Sequence, residues 1–122
     1  MTDVKKLLIY QLAKEIEIDI RTLLKKFPRI EEYCLTKQLK TSANSVGANI
    51  AEGAGRSTKA DFLRFLFNSN GSLKEVLHHI EIARSEQYIT EQEYVSANIK
   101  INELGRMLNA FISNLKSVPL RS

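Results

Sequence analysis

The longest regular pattern in this sequence is an apolar row near its carboxyl end that recurs every three or four positions. Its members are Tyr94, Ala97, Ile101, Leu104, Leu108, Phe111 and Leu115. An α-helix turns once every ~3.6 residues, so this spacing places the whole row on one helical face. Thr90 and Glu93 form the sequence signature of a capping box, and Pro119 ends the segment. The pattern predicts an amphipathic helix over about residues 91–117, which needs partner helices to cover its apolar face.

Three earlier segments show the same helical spacing. The apolar rows of the first and third segments are Leu8, Leu12, Ile16, Ile20, Leu23 and Phe27, and then Phe62, Leu66, Leu73, Leu77 and Ile80. Pro28 separates the first segment from the second, and Gly53 and Gly55 are expected to end the second. These features predict helices over about residues 3–26, 29–54 and 58–86. Asn70-Gly71 is typical of a hairpin turn, but the helical register continues on both sides, so the third helix is predicted to be continuous.

Four helices of similar length with short connections predict an all-α fold, an antiparallel up-and-down four-helix bundle. A chain of 122 residues suits one core, so residues 1–122 are predicted to form a single domain. No apolar run approaches the ~18 residues of a membrane span. The amino-terminal apolar patch is too short for a signal peptide, so we expect a cytoplasmic protein without a membrane partner.

The second predicted helix carries two rows in addition to its apolar one. Small residues recur every four positions, at Ala43, Gly47, Ala51 and Gly55, and would let another backbone approach closely. The other row is polar and consists of Gln38, Ser42, Ser45, Asn49, Glu52 and Arg56.

Buried polar groups need partners, so this polar row is predicted to belong to a structural network or interface. The predicted members are Gln38, Ser45, Asn49, Glu52, Arg56, Ser72 and Glu75. We expect Asn49, Glu52 and Arg56 to bond to Ser72, Glu75 or backbone groups across a helix interface. Glu52→Ala would then cost roughly 1–3 kcal/mol, because it would leave buried partners unsatisfied.

Self-association is a further expectation from the pattern. The small-residue row and four apolar residues, Ile9, Phe65, Phe67 and Ile112, exceed what one bundle face needs. We therefore predict a homo-oligomer.

The net charge of +4 is unevenly placed along the chain. Residues 1–60 hold eleven Lys and Arg against seven Asp and Glu, whereas residues 61–122 hold seven of each. Five cations gather around the junction of the first two predicted helices, and we call them the basic cluster: Lys25, Lys26, Arg29, Lys37 and Lys40. They could neutralise phosphates of a nucleic acid. Alternatively they form a solvated rim that only keeps the protein in solution, since no aromatic residue is interleaved for stacking.

The residue pattern indicates neither a catalytic site nor a cofactor. No nucleophile elbow or glycine-rich phosphate loop is present. Glu75-Val76-Leu77-His78 supplies half of a di-iron carboxylate motif, but no second copy exists, so no metal is expected, and His78 is expected to be either solvated or satisfied by a paired side chain. Cys34 is the single cysteine, which excludes an internal disulfide.

Residues from Phe27 to Arg56 carry a family resemblance. The chain resembles the four-helix-bundle proteins encoded by intervening sequences within 23S ribosomal RNA genes, and their relatives, the accessory proteins of diversity-generating retroelements. Matching positions include Phe27, Pro28, Glu31, Leu35, Gln38, Ser45, Asn49, Ile50, Ala51, Glu52, Gly53 and Arg56. The match resumes at Phe62, Phe65 and Leu66, and again at Gly71-Ser72-Leu73 with Glu75. Tyr10-Gln11-Leu12-Ala13 stands where members usually have Trp-Gln-x-Ala.

The resemblance implies a barrel-like homopentamer and no catalytic activity. For the retroelement relatives it also implies binding of nucleic acid and a reverse transcriptase partner. Thr41 and Asn70 stand where many members have a basic residue, which leaves this chain fewer phosphate contacts. The expected function is a non-enzymatic oligomeric scaffold that binds RNA or DNA with little sequence specificity. The alternative is a protein–protein interaction module without affinity for nucleic acid.

Overall fold

The computed structural model describes residues 3–119, which form four α-helices and two short 3₁₀-helices. Helix α1 spans Leu8–Leu24, α2 Leu35–Ala54, α3 Lys59–Ser85 and α4 Glu91–Ser117. Helices α1 and α3 each pack against both α2 and α4, and the contact between α2 and α3 is the most extensive. Short connections make consecutive helices antiparallel. The fold is therefore the predicted all-α, up-and-down four-helix bundle.

The third and fourth helices begin and end within one residue of their predicted bounds. The Thr58 hydroxyl accepts a hydrogen bond from the Asp61 amide at 3.1 Å and caps α3. Thr90 and Glu93 form the predicted capping box at the start of α4, with bonds of 2.8 and 3.0 Å. Helix α3 continues through residues 70 and 71 without a break, as predicted. None of the helices within residues 3–119 is both long enough and apolar enough to cross a membrane.

The first predicted helix, 3–26, is interrupted near its start. A 3₁₀-helix at Val4–Lys6 is followed by Leu7 in an extended conformation, with φ −76° and ψ 125°, and α1 begins only at Leu8. Two side chains stabilise this arrangement. The Asp3 carboxylate accepts from the Lys5 amide, and the Gln11 amide donates to the Lys5 carbonyl at 3.0 Å.

The second predicted helix, 29–54, also starts later than expected. Pro28 is extended, and a 3₁₀-helix covers Arg29–Glu31. Cys34 then has a non-helical backbone conformation, with φ −117° and ψ −103°, and α2 begins at Leu35. Glu31 explains the late start. Its carboxylate accepts from the Leu35 amide at 3.3 Å and from the Tyr88 hydroxyl at 2.9 Å, so it satisfies a terminal donor of α2 from outside the helix.

The core differs from the prediction at the amino-terminal end of α1 and near the end of α4. Ile9 and Ile112 were expected to be surplus to the bundle, but they are 3% and 6% exposed and belong to the core. Leu8 was expected inside and is 68% exposed. The α-helix starts only at Leu8, so Ile9, Ala13, Ile16 and Ile20 form its inward row.

Close approach of α2 to its neighbours depends on Gly53. A Cβ atom placed there would lie 2.8 Å from Phe65 Cβ and 3.0 Å from Phe62 Cδ1. At Gly47, where the sequence suggested close packing, the corresponding atom would be in ordinary contact, 3.6 Å from Ala13 Cβ. Gly53 thus acts as a packing residue within α2, and the helix ends one residue later, at Ala54.

Candidate functional site: a polar groove between α2 and α3

An open groove of about 480 Å³ lies on the surface between α2 and α3. Helix α2 lines it with Lys37, Gln38, Thr41, Ser42 and Ser45, and α3 with Ser72, Glu75 and His79. Tyr33, from the turn before α2, completes the lining. We call this site the polar groove. It brings together four of the seven residues predicted to form a polar network: Gln38, Ser45, Ser72 and Glu75.

Helical spacing and a buried hydrogen bond position the two walls of the polar groove. Positions 38, 41 and 45 lie one turn apart on α2, and positions 72, 75 and 79 do so on α3. The fully buried Ser69 hydroxyl donates to the Val46 carbonyl oxygen at 2.7 Å and joins the two helices. Ser42 and Ser45 donate to carbonyls of their own helix, so their hydroxyl oxygens can still accept hydrogen bonds from another molecule.

The other three predicted network residues make their polar bonds locally, within residues 45–56, so the prediction of cross-helix hydrogen bonds is wrong for them. The Asn49 side-chain amide donates to the Ser45 carbonyl at 2.8 Å. Glu52 and Arg56 pair with each other at 2.6 Å, with side chains 55% and 41% exposed. The reason is the aromatic contact at Gly53, because Phe62 and Phe65 fill the interface at this end of α2.

Arg56 nevertheless contacts α3 in another way. Its guanidinium lies over the Phe65 ring, 4.9 Å from the ring centroid, and the guanidinium of Arg64 lies 4.5 Å from the same centroid. Such cation–π contacts are each worth about 0.5–1 kcal/mol at exposed sites. The cationic end of the polar row therefore packs on an aromatic ring.

His79 is a residue of the groove that the sequence argument missed. It is only 9% exposed as a whole, and its ring nitrogens make no hydrogen bond to the residues that the structure describes; they are not fully buried, and the residue lines the groove, so they stay accessible from it. Burial lowers the pKa of His79 below 6.5, the nearby His78 lowers it further, and Glu75 opposes the shift. The ring is thus neutral at pH 7, with one nitrogen donating and one accepting. Its spacing of seven residues from Ser72 was the available signal. His78 itself is exposed, as expected.

One of the five cations of the basic cluster forms an ion pair and is therefore not free to bind phosphate. Lys26 contacts the Glu93 carboxylate at 2.5 Å and holds the pKa of that carboxyl below its usual value, together with the backbone amide of Thr90. The other four members are Lys25, Arg29, Lys37 and Lys40. All four are exposed and have no acidic partner within residues 3–119. Lys37 also lines the polar groove, so the basic cluster and the groove share this residue.

Residues 3–119 contain no group of three His, Cys, Asp or Glu side chains that could hold a metal ion. The available chemistry of the polar groove is hydrogen bonding by hydroxyls, an amide and a neutral imidazole, with one cation and one carboxylate at its edge.

Comparison with known proteins identifies the family of this chain. The model of the 23S rRNA-intervening sequence protein family matches residues 5–110. The chain belongs to this family. The match includes the basic cluster and the whole polar groove. No curated protein matches the chain.

A solved structure shares the fold of this chain. It is a protein of unknown function from the S23 ribosomal protein family of Bacteroides thetaiotaomicron. The two chains are 27% identical and superpose with a TM-score of 0.80, over 86% of this chain and 98% of the other. The family resemblance inferred from the sequence is thereby confirmed.

Proposed function

We propose that this protein is a non-enzymatic, oligomeric helical scaffold that binds RNA or DNA with little sequence specificity. The observation that carries this proposal is the group of four exposed cations near the junction of α1 and α2 that have no acidic partner within residues 3–119: Lys25, Arg29, Lys37 and Lys40. Cations without acidic partners are available to replace the counterions of phosphates. The cytoplasmic location expected from the sequence is part of the same proposal.

Four phosphate contacts in one subunit give weak binding. They would produce a slope of about −3.6 in log affinity against log salt concentration on duplex DNA, at −0.9 per contact. An oligomer presents several copies of the cluster to one nucleic-acid chain, which raises the effective concentration of each later contact. The family resemblance implies a homopentamer, and we propose this number of copies.

Exposed apolar side chains on α1 and α4 support self-association. Leu8 and Ile18 are 68% and 61% exposed on α1, and Ile99 is 61% exposed on α4. Ile9 and Ile112, which the sequence suggested for self-association, are buried within the bundle and cannot serve this role. Light scattering should give a mass that is a multiple of 13.9 kDa. A single species of 13.9 kDa at micromolar concentration would refute the oligomer.

Nucleic-acid binding is tested by charge neutralisation with a matched control. One variant replaces Lys25, Arg29, Lys37 and Lys40 with Gln. The control replaces four exposed cations elsewhere with Gln: Lys5, Lys14, Lys74 and Arg106. Both variants change the net charge equally. Electrophoretic mobility shifts at low salt should show that the first variant loses most of its affinity for structured RNA and duplex DNA, whereas the control keeps it.

Two results would count against the scaffold. Equal losses in both variants would mean that binding follows net charge and not the cluster. Absence of any shift at tens of micromolar protein and low salt would refute nucleic-acid binding, because non-specific dissociation constants are about 10⁻⁴–10⁻⁶ M at physiological salt and become smaller at low salt.

A protein–protein interaction module without nucleic-acid affinity is the second candidate. Ile30 and Tyr33 favour it, since they are 83% and 81% exposed beside the start of α2. Large exposed apolar side chains that lie close together are typical of interaction sites. The resemblance to retroelement accessory proteins suggests a reverse transcriptase as one partner to test. This candidate predicts a protein partner that is still recovered by pull-down after nuclease treatment.

A further inference from the structure

We propose that the polar groove receives one unstacked base of a single-stranded nucleic acid, with Tyr33 stacking on the base. The side chains of the groove would bond to the edge of the base while Lys37 contacts the adjoining phosphate. This inference rests on the nucleic-acid-binding function proposed above, and it specifies the form of the ligand.

The environment of Tyr33 distinguishes it from the other tyrosines. It is 81% exposed, and within residues 3–119 its ring has no aromatic or cationic neighbour. By contrast, Tyr88 packs on Phe27 and bonds to Glu31, and a cation covers the rings of Tyr10 and Tyr94. Tyr33 therefore offers an open aromatic face at the edge of the groove. Single-strand-binding proteins use such faces as stacking platforms.

The ring of His79 offers hydrogen-bonding atoms to the groove. The residue is only 9% exposed, but its nitrogens are not among the buried polar atoms that lack a partner, so a ligand in the groove can reach them. The neutral imidazole offers both a donor and an acceptor, as the edge of a base does. The volume of about 480 Å³ falls in the range of about 300–1,000 Å³ that is typical of small-ligand sites.

Glu75 determines which part of a nucleotide enters the polar groove. Its carboxylate lies in the groove, close enough to His79 to oppose the fall of that residue's pKa. A carboxylate repels phosphate and accepts hydrogen bonds from amino groups. The base thus enters the groove and the phosphate stays outside, near Lys37. Adenine, cytosine and guanine carry an exocyclic amino group, so they are preferred over uracil and thymine.

The experiment is fluorescence anisotropy with labelled single-stranded oligo(A), oligo(C) and oligo(U) and with a duplex of the same length. The proteins are the parent, Tyr33→Ala, Tyr33→Phe and Glu75→Ala. Val118→Ala is the control, because Val118 is an exposed apolar residue outside the groove and outside the residues that support self-association. All four substitutions are at exposed positions.

Tyr33→Ala should bind single strands roughly 5- to 140-fold more weakly than the parent, because it loses one base-stacking contact. Its duplex binding should stay unchanged, since paired bases cannot enter the groove. Tyr33→Phe and Val118→Ala should bind like the parent. Glu75→Ala removes the acceptor oxygens and should remove the preference of the parent for oligo(A) and oligo(C) over oligo(U).

Three results overturn this inference. If Tyr33→Ala binds single strands as tightly as the parent does, this inference is wrong, whereas the proposed scaffold function still stands. If light scattering gives Tyr33→Ala a lower molar mass than the parent, this inference is also wrong, because a second copy of the chain would then occupy the groove. Failure of the parent to bind any of the nucleic acids overturns the inference and the proposed function together.

Discussion

Two glycine-to-alanine substitutions test the close approach of α2 and α3. Gly53 and Gly71 both lie inside helices, so alanine improves the backbone propensity at either site by up to about 1 kcal/mol. Their surroundings differ. At Gly71 no atom lies within 4 Å of the added Cβ, whereas at Gly53 the added atom meets Phe65 Cβ at 2.8 Å and the Phe62 carbonyl oxygen at 3.3 Å.

Because of these distances, the two substitutions are expected to change the free energy of unfolding in opposite directions. Gly71→Ala should raise the free energy of unfolding by about 0.5–1 kcal/mol, because only the gain in helix propensity applies. At Gly53 the contacting atoms are a Cβ and a backbone oxygen, which side-chain rotation cannot move aside. Overpacking of this kind costs about 1–3 kcal/mol and exceeds the gain in propensity. Gly53→Ala should therefore be less stable than Gly71→Ala by about 1–3 kcal/mol.

Urea unfolding followed by far-ultraviolet circular dichroism measures both variants against the parent. All samples should have one protein concentration, because association stabilises the folded state by mass action. In thermal unfolding, 1 kcal/mol corresponds to about 4 °C for a domain of this size. If Gly53→Ala is as stable as Gly71→Ala, the helices can separate without cost and the close-approach argument is refuted.

Three further predictions concern hydrogen bonds and charges, and all are measured by urea unfolding. Ser69→Ala should lower the free energy of unfolding by about 0.5–1.5 kcal/mol, since it removes the buried bond to Val46; an unchanged value would mean that this bond contributes nothing. Glu52→Ala should change stability by less than about 0.5 kcal/mol, because its pair with Arg56 is exposed; the larger loss expected from the sequence would indicate that the oligomer buries this row. The pKa of Glu93 is lowered from 4.5, chiefly by its bond to a lysine ammonium, so its contribution is present above pH 4.5 and is lost as the pH falls through the lowered value. Glu93→Gln should therefore lose less stability than the parent between neutral pH and pH 4, and equal losses would contradict this argument.

The sequence alone was sufficient for the features that depend on neighbouring residues in the chain. Thr58 and the pair Thr90 and Glu93 cap helices through contacts three residues away, so the starts of α3 and α4 could be predicted. The shared groove position of Ser72 and Glu75 likewise follows from helical spacing. Both depend on local geometry, which the order of residues determines.

Tertiary contacts decided the remaining features, because they involve residues far apart in the chain. The late start of α2 depends on Glu31, whose partner Tyr88 is 57 positions away. The outward position of Glu52 follows from the contact of Gly53 with aromatic residues of α3. Burial of His79 without a partner and exposure of Tyr33 arise where α2 and α3 meet. Spacing along one helix shows which residues share a face, but only the packed neighbour determines whether that face is covered, by which atoms and at what distance.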